Sequence, residues 1–143
     1  MKKSFTLIEL LLVIAIMLIL GGAAAPFFAR FLTQNNVINV SDQLTGQMRK
    51  AQIYAMMGKK NGSWGVTVGG SAITLFQGTS FALRNPSFDE KINLNPIIIV
   101  SGLSEVVFTK ITGLPSATPT INISANNTTA NLVINNQGVV SKQ

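Results

Sequence analysis

Few side chains in this sequence can do chemistry, and one of them sits where ionised groups are rarely tolerated. Glu9 stands beside an otherwise uncharged run from Leu10 to Ala29. A carboxylate within an apolar helix costs roughly 2.5 to 3.5 kcal/mol on insertion scales, so it is expected to have a partner and a function. Other chemical equipment is thin. The 143 residues include no cysteine and no histidine, which removes disulfides, thiol chemistry, imidazole bases and the commonest metal ligands. Asp89-Glu90 is the one adjacent acidic pair, but neighbours in a strand point to opposite faces, so solvation rather than paired-carboxylate catalysis is expected there. Gly62, Gly65, Gly69 and Gly70 are not followed by the Gly-Lys-Ser/Thr of a phosphate-binding loop. Catalytic residues, metal ligands and cofactors are all expected to be none.

The element that positions Glu9 is the apolar run itself. Twenty residues from Leu10 to Ala29 would span ~30 Å as a helix, the thickness of a bilayer's hydrocarbon core. Lys2 and Lys3 on the short N-terminal side place that end in the cytoplasm and the remaining chain outside. A cleaved secretory signal is the plain alternative, with Ala23-Ala24-Ala25 as its small-residue site. Pro26 immediately beyond that site, and the acidic Glu9 within the span, both argue against it. A cut between Ser4 and Phe5 would instead create an α-amino group one helical turn from Glu9. Pairing within one chain or between staggered helices would then neutralise the carboxylate, and the second arrangement sets an assembly rule. The alternative is that Glu9 snorkels to the headgroups.

Pro26 is expected to kink the helix near Gly22, next to Gly21, without ending it. From Phe31 to Met57 the pattern becomes amphipathic. Val37, Val40, Leu44, Met48, Ala51 and Ala55 step by three or four and form a stripe in want of a partner, while Asn39, Gln43, Gln47 and Lys50 lie elsewhere. Gly58 suits a C-cap, with Lys59 and Lys60 at the negative end of the dipole.

Beyond Gly58 the period changes to two. Trp64 to Val68 and Ala72 to Phe76 flank Gly69-Gly70 as a hairpin, and further strands are expected at Ile97 to Val100, Glu105 to Ile111, Thr120 to Ser124, Thr129 to Ile134 and Gly138 to Ser141. Gln77 to Pro96 reads as a covering loop with a short strand, anchored by Phe81, Phe88 and Ile92. About 85 residues are too few for a large core, so the helical stripe should supply one wall. The fold class is α+β: a long kinked helix packed on an antiparallel β domain. Its segments are a leader at 1–4, a membrane half-helix at 5–29, an amphipathic half at 30–58 and the β domain at 59–143.

Ser4 followed by Phe5-Thr-Leu-Ile-Glu9, with a proline 21 residues after Phe5, resembles the class III signal of type IV pilins and type II secretion pseudopilins. The resemblance implies that a prepilin peptidase cuts between Ser4 and Phe5 and methylates the Phe5 amine. It implies a single-pass precursor in the bacterial inner membrane, then a filament built from pilin or pseudopilin subunits with an inner-membrane assembly platform as a further partner. Ser4 departs from the Gly that the family prefers before the cut. Leu132-Val-Ile-Asn-Asn-Gln-Gly138 and Trp64-Gly-Val66 look like H-type minor pseudopilins and their pilus relatives, and the lack of a cysteine-bounded or calcium-binding loop favours a minor subunit. Some minor pilins of this shape bind DNA. Here Arg49, Lys50, Lys59, Lys60 and Arg84 are the candidate patch if the helix end and the loop meet, but no aromatic is expected to interleave with them there and the C-terminus carries only Lys142, so nucleic acid is not expected as a partner. The alternative of another class is a membrane-tethered or secreted binding module in which Glu9 is incidental.

Overall fold

The computed structural model describes residues 5–143, apart from the side chains of residues 23–26; Lys2, Lys3 and Ser4 lie outside the described residues. The chain divides into two compact units, Met1–Thr33 and Gln34–Gln143. A single helix, α1 (Leu7–Met56, 50 residues), contributes to both. In the first unit it is built from Leu, Ile, Ala and Met, residues of good helix propensity. The helical assignment continues through Gly21, Gly22 and Pro26.

In the second unit the stripe finds its partner. Val37, Val40, Leu44, Met48, Ala51 and Ala55 are at most 6 % exposed, and all belong to one apolar core shared with the strands. Ser41 and Thr45 widen the buried face, with the Thr45 hydroxyl donating to the Ser41 carbonyl at 2.8 Å. Gln47 is less solvated than expected: its Oε1 is buried without a hydrogen-bond partner. The helix ends as the sequence indicates, with Gly58 in the left-handed region (φ 61) and its N–H donating to the Ala55 carbonyl.

Two four-stranded sheets face the helix, every pairing antiparallel. The first contains β1 (Trp64–Gly69), β2 (Ala72–Gln77), β3 (Asn85–Asn93) and β5 (Glu105–Phe108), in the order β3-β2-β1-β5. The second contains β4 (Ile99–Ser101), β6 (Thr120–Ala125), β7 (Thr128–Ile134) and β8 (Val140–Lys142), in the order β4-β6-β7-β8. Alternation is clearest on β6, where Ile121, Ile123 and Ala125 face the core.

β4 and β8 begin two residues later than expected, and two strands differ more. The segment read as a loop with a short strand contains the nine-residue β3, which pairs with β2 along a bulged register. It escaped notice because it is an edge strand with little buried surface, so it lacks apolar alternation, and because Pro86 is tolerated only at such an edge. The strand starting at Glu105 stops at Phe108 rather than Ile111. Residues beyond it turn back, Ile111 takes a positive φ of 73, and its N–H donates to the Ala55 carbonyl at the helix end.

Candidate functional site

The helix start is built by the residues that carry the resemblance. Thr6 is the N-cap: its carbonyl accepts from Leu10 N–H at 3.2 Å, and its Oγ1 faces the Glu9 N–H at 3.4 Å. A threonine N-cap with a glutamate three residues on is the capping-box pattern, and a carboxylate there also favours the positive end of the helix dipole. Sequence reasoning had taken Glu9 as a charge in search of a partner and missed that Thr6-Leu-Ile-Glu9 is itself a helix-start signal. Among the described residues no cation lies within ion-pair range of Glu9. Phe5 is exposed, and Ser4, with the junction between them, lies outside the described residues.

Downstream of Glu9 the helix is bare of protein. Every large apolar side chain from Leu7 to Leu20 is at least 46 % exposed. Apolar surface on that scale needs lipid or protein around it, and the helix is long and apolar enough to cross a membrane. At Gly21 and Gly22 an added Cβ would meet nothing within 4 Å. Neither glycine is therefore required by packing against the described residues.

Three basic groups of the second unit are held by carboxylates. Lys50 pairs with Glu90, Lys142 with Asp42, and Arg84 holds Asp89 through Nε at 2.9 and 3.2 Å. The solvation expected for Asp89-Glu90 holds for Glu90, whose side chain is 43 % exposed, and is corrected for Asp89, whose side chain is only 7 % exposed and held by Arg84. Arg84 also donates to the Phe81 carbonyl at 2.8 Å and lies 3.8 Å from the Phe81 ring centroid, which clips the loop before β3. The hydrogen bond to Glu90 holds the Lys50 ammonium above the usual lysine range, against the opposing effect of partial burial. Gln52 was also missed. Its Nε2 donates to the Gly113 carbonyl at 3.1 Å and the Gln137 carbonyl at 2.8 Å, tying the helix to two loops.

An apolar helix of membrane length, capped by Thr6 and packed through its second half on two antiparallel sheets, defines a pilin-like α+β architecture. Residues 1–25 match the family model for the prokaryotic N-terminal methylation motif. The chain is similar to type IV major fimbrial protein FimA sequences from Dichelobacter nodosus. One is 39 % identical over 62 residues, 43 % of this chain and 39 % of the relative; a second is 40 % identical over 63 residues, 43 % and 40 %. The chain thus matches about two fifths of the length of these curated relatives. No solved structure matches it. The motif and the fimbrial relatives together support the type IV pilin family.

Proposed function

We propose that this protein is a structural filament subunit of the type IV pilin kind, inserted as a single-pass inner-membrane precursor and cut between Ser4 and Phe5. The observation that carries the reading is the exposed apolar helix beginning at the Phe5-to-Glu9 motif, a surface that a filament of like helices would cover. Prepilin peptidase would release and methylate the Phe5 amine, and an inner-membrane platform would move the subunit into the filament. Packing of neighbouring helices supplies the attraction. Glu9 and the Phe5 amine of a neighbour fix the register, because any other stagger buries an unpaired charge. Gly21, Gly22 and Pro26 are the positions at which the helix would bend.

The absence of cysteine favours a minor subunit. The matched relatives are named major fimbrial proteins, which favours a pilus over a secretion pseudopilus. Glu9→Ala is expected to leave the folded domain and cleavage intact while stopping incorporation into filaments. Normal incorporation of that variant would sink the charge-register idea. N-terminal sequencing separates this reading from a tethered binding module: a methylated Phe5 start supports the subunit, whereas a start near Pro26 or an intact Met1 supports the module.

A further inference from the structure

The turn that follows α1 and the outer strand β3 enclose an open cleft of about 270 Å³. Lys59 and Lys60 line it from the turn; Ser87, Phe88, Asp89 and Glu90 line it from the strand. The two carboxylates are already neutralised, by Arg84 and Lys50 respectively. Among the described residues neither Lys59 nor Lys60 has a carboxylate within ion-pair range. The cleft therefore carries two uncompensated ammonium groups.

Both are held in place rather than left to wander. The Lys59 Nζ lies 3.4 Å from the Tyr54 ring centroid and 5.4 Å from that of Trp64, whose indole N–H donates to the Lys59 carbonyl at 2.9 Å. The Lys60 Nζ lies 5.1 Å from the Phe88 ring centroid. The backbone is shaped for this as well. Lys60 (φ 54) and Asn61 (φ 56) both adopt the left-handed region, which side-chain-bearing residues seldom enter without compensation.

A ligand for this cleft must satisfy two kinds of group together: the ammonium donors of Lys59 and Lys60, and the acceptors left open on the Ser87 hydroxyl and on Glu90, whose side chain stays 43 % exposed beside Lys50. A fully ionised oxyanion meets the first and has no proton to donate to the second. A nucleic acid meets the lysines through its phosphates, but Trp64, only 2 % exposed, provides no ring for a base to stack on. A sugar carrying a carboxylate has the required mixture, because its charge answers the lysines and its hydroxyls donate to Glu90 and to Ser87. The volume suits one or two sugar units, below the usual range for drug-sized ligands. We propose that the cleft between Lys59, Lys60 and β3 is a binding site for an acidic sugar of the hexuronate class, giving the filament surface an affinity for carboxylated polysaccharide.

Trp64 is the only tryptophan of the chain and lines the cleft, so its fluorescence reports the site directly. Full-length protein in micelles of an uncharged detergent is titrated with trigalacturonate, with neutral trigalactose, with inorganic phosphate and with a short single-stranded DNA. A saturable change in emission with trigalacturonate alone is the expected result. Lys60→Gln should weaken that binding by about tenfold or more, the loss expected for one hydrogen bond to a charged group, while Lys60→Arg should retain it. Far-UV circular dichroism verifies that each variant is folded. An equal response to trigalactose, tighter binding of phosphate or DNA, no saturation, or unchanged affinity in folded Lys60→Gln would each overturn the proposal. Misfolding of Lys60→Gln passes the decision to Ser87→Ala, which should weaken trigalacturonate binding, and unaltered binding there is equally fatal.

Discussion

Two physical effects meet at Glu9, and a pair of substitutions separates them. As the third helical residue after Thr6 it stands at the capping-box position, and as a carboxylate in an apolar segment it is costly without a counter-charge. Glu9→Gln keeps the capping geometry and removes the charge, whereas Glu9→Ala removes both. If charge sets the register, both variants should fail to enter filaments, while helicity at the N-terminus falls in Glu9→Ala alone; filament yield and amide exchange measure the two. Incorporation of Glu9→Gln would assign the residue to capping. Lys50 is a second residue with a sign that can be worked out. Its folded-state value is raised by Glu90, so the pair stabilises the fold below the ordinary lysine range and loses that contribution as pH rises through the raised value. The two side chains are 36 % and 43 % exposed, so the effect stays below about 1 kcal/mol. Urea midpoints of the parent and Lys50→Met should differ slightly at neutral pH and converge at strongly alkaline pH.

At the scale of elements, the end of α1 is held by loops that arrive from far along the chain. Gln52 satisfies two carbonyls at once, while Gly113 (φ 64) and Gly138 (φ 78) bring backbone so close that an added Cβ would lie 2.4 Å from Met56 Cγ and 2.5 Å from Gln52 Nε2. Gln52→Leu should lower unfolding stability by about 1 to 3 kcal/mol, since both carbonyls lose their donor. A chemical-denaturation curve measures it, and a loss within a few tenths would mean that water replaces the amide. β3 teaches a related point. It is a strand because β2 offers it a ladder, and not because its own residues alternate. The sequence of β6 and β7 could be read directly because each buries one face and leaves the other out. The turn between them was equally readable, with Asn126 at φ 50 as its left-handed residue.

For the whole molecule, the two units face different requirements. The first presents apolar side chains with no protein over them, and the second buries its helical stripe against both sheets in one core. A chain beginning at Gln34 should therefore fold as a soluble monomer, with cooperative unfolding and dispersed amide spectra. Failure to fold would mean that the first unit contributes to the second unit's stability. What the sequence by itself determined is what short-range pattern encodes: the membrane-length helix, the motif from Phe5 to Glu9, the stripe from Val37 to Ala55, the Gly58 stop and the regular hairpins. Local spacing decides these because helix and strand periods act over a few residues. Only the tertiary structure decided the second sheet as a separate layer, the edge strand β3, the ion pairs of Asp89 and Glu90, and the aromatic seats of Lys59 and Lys60. Each joins residues distant in the chain, so its energy depends on which groups the fold brings together, and no local period records that.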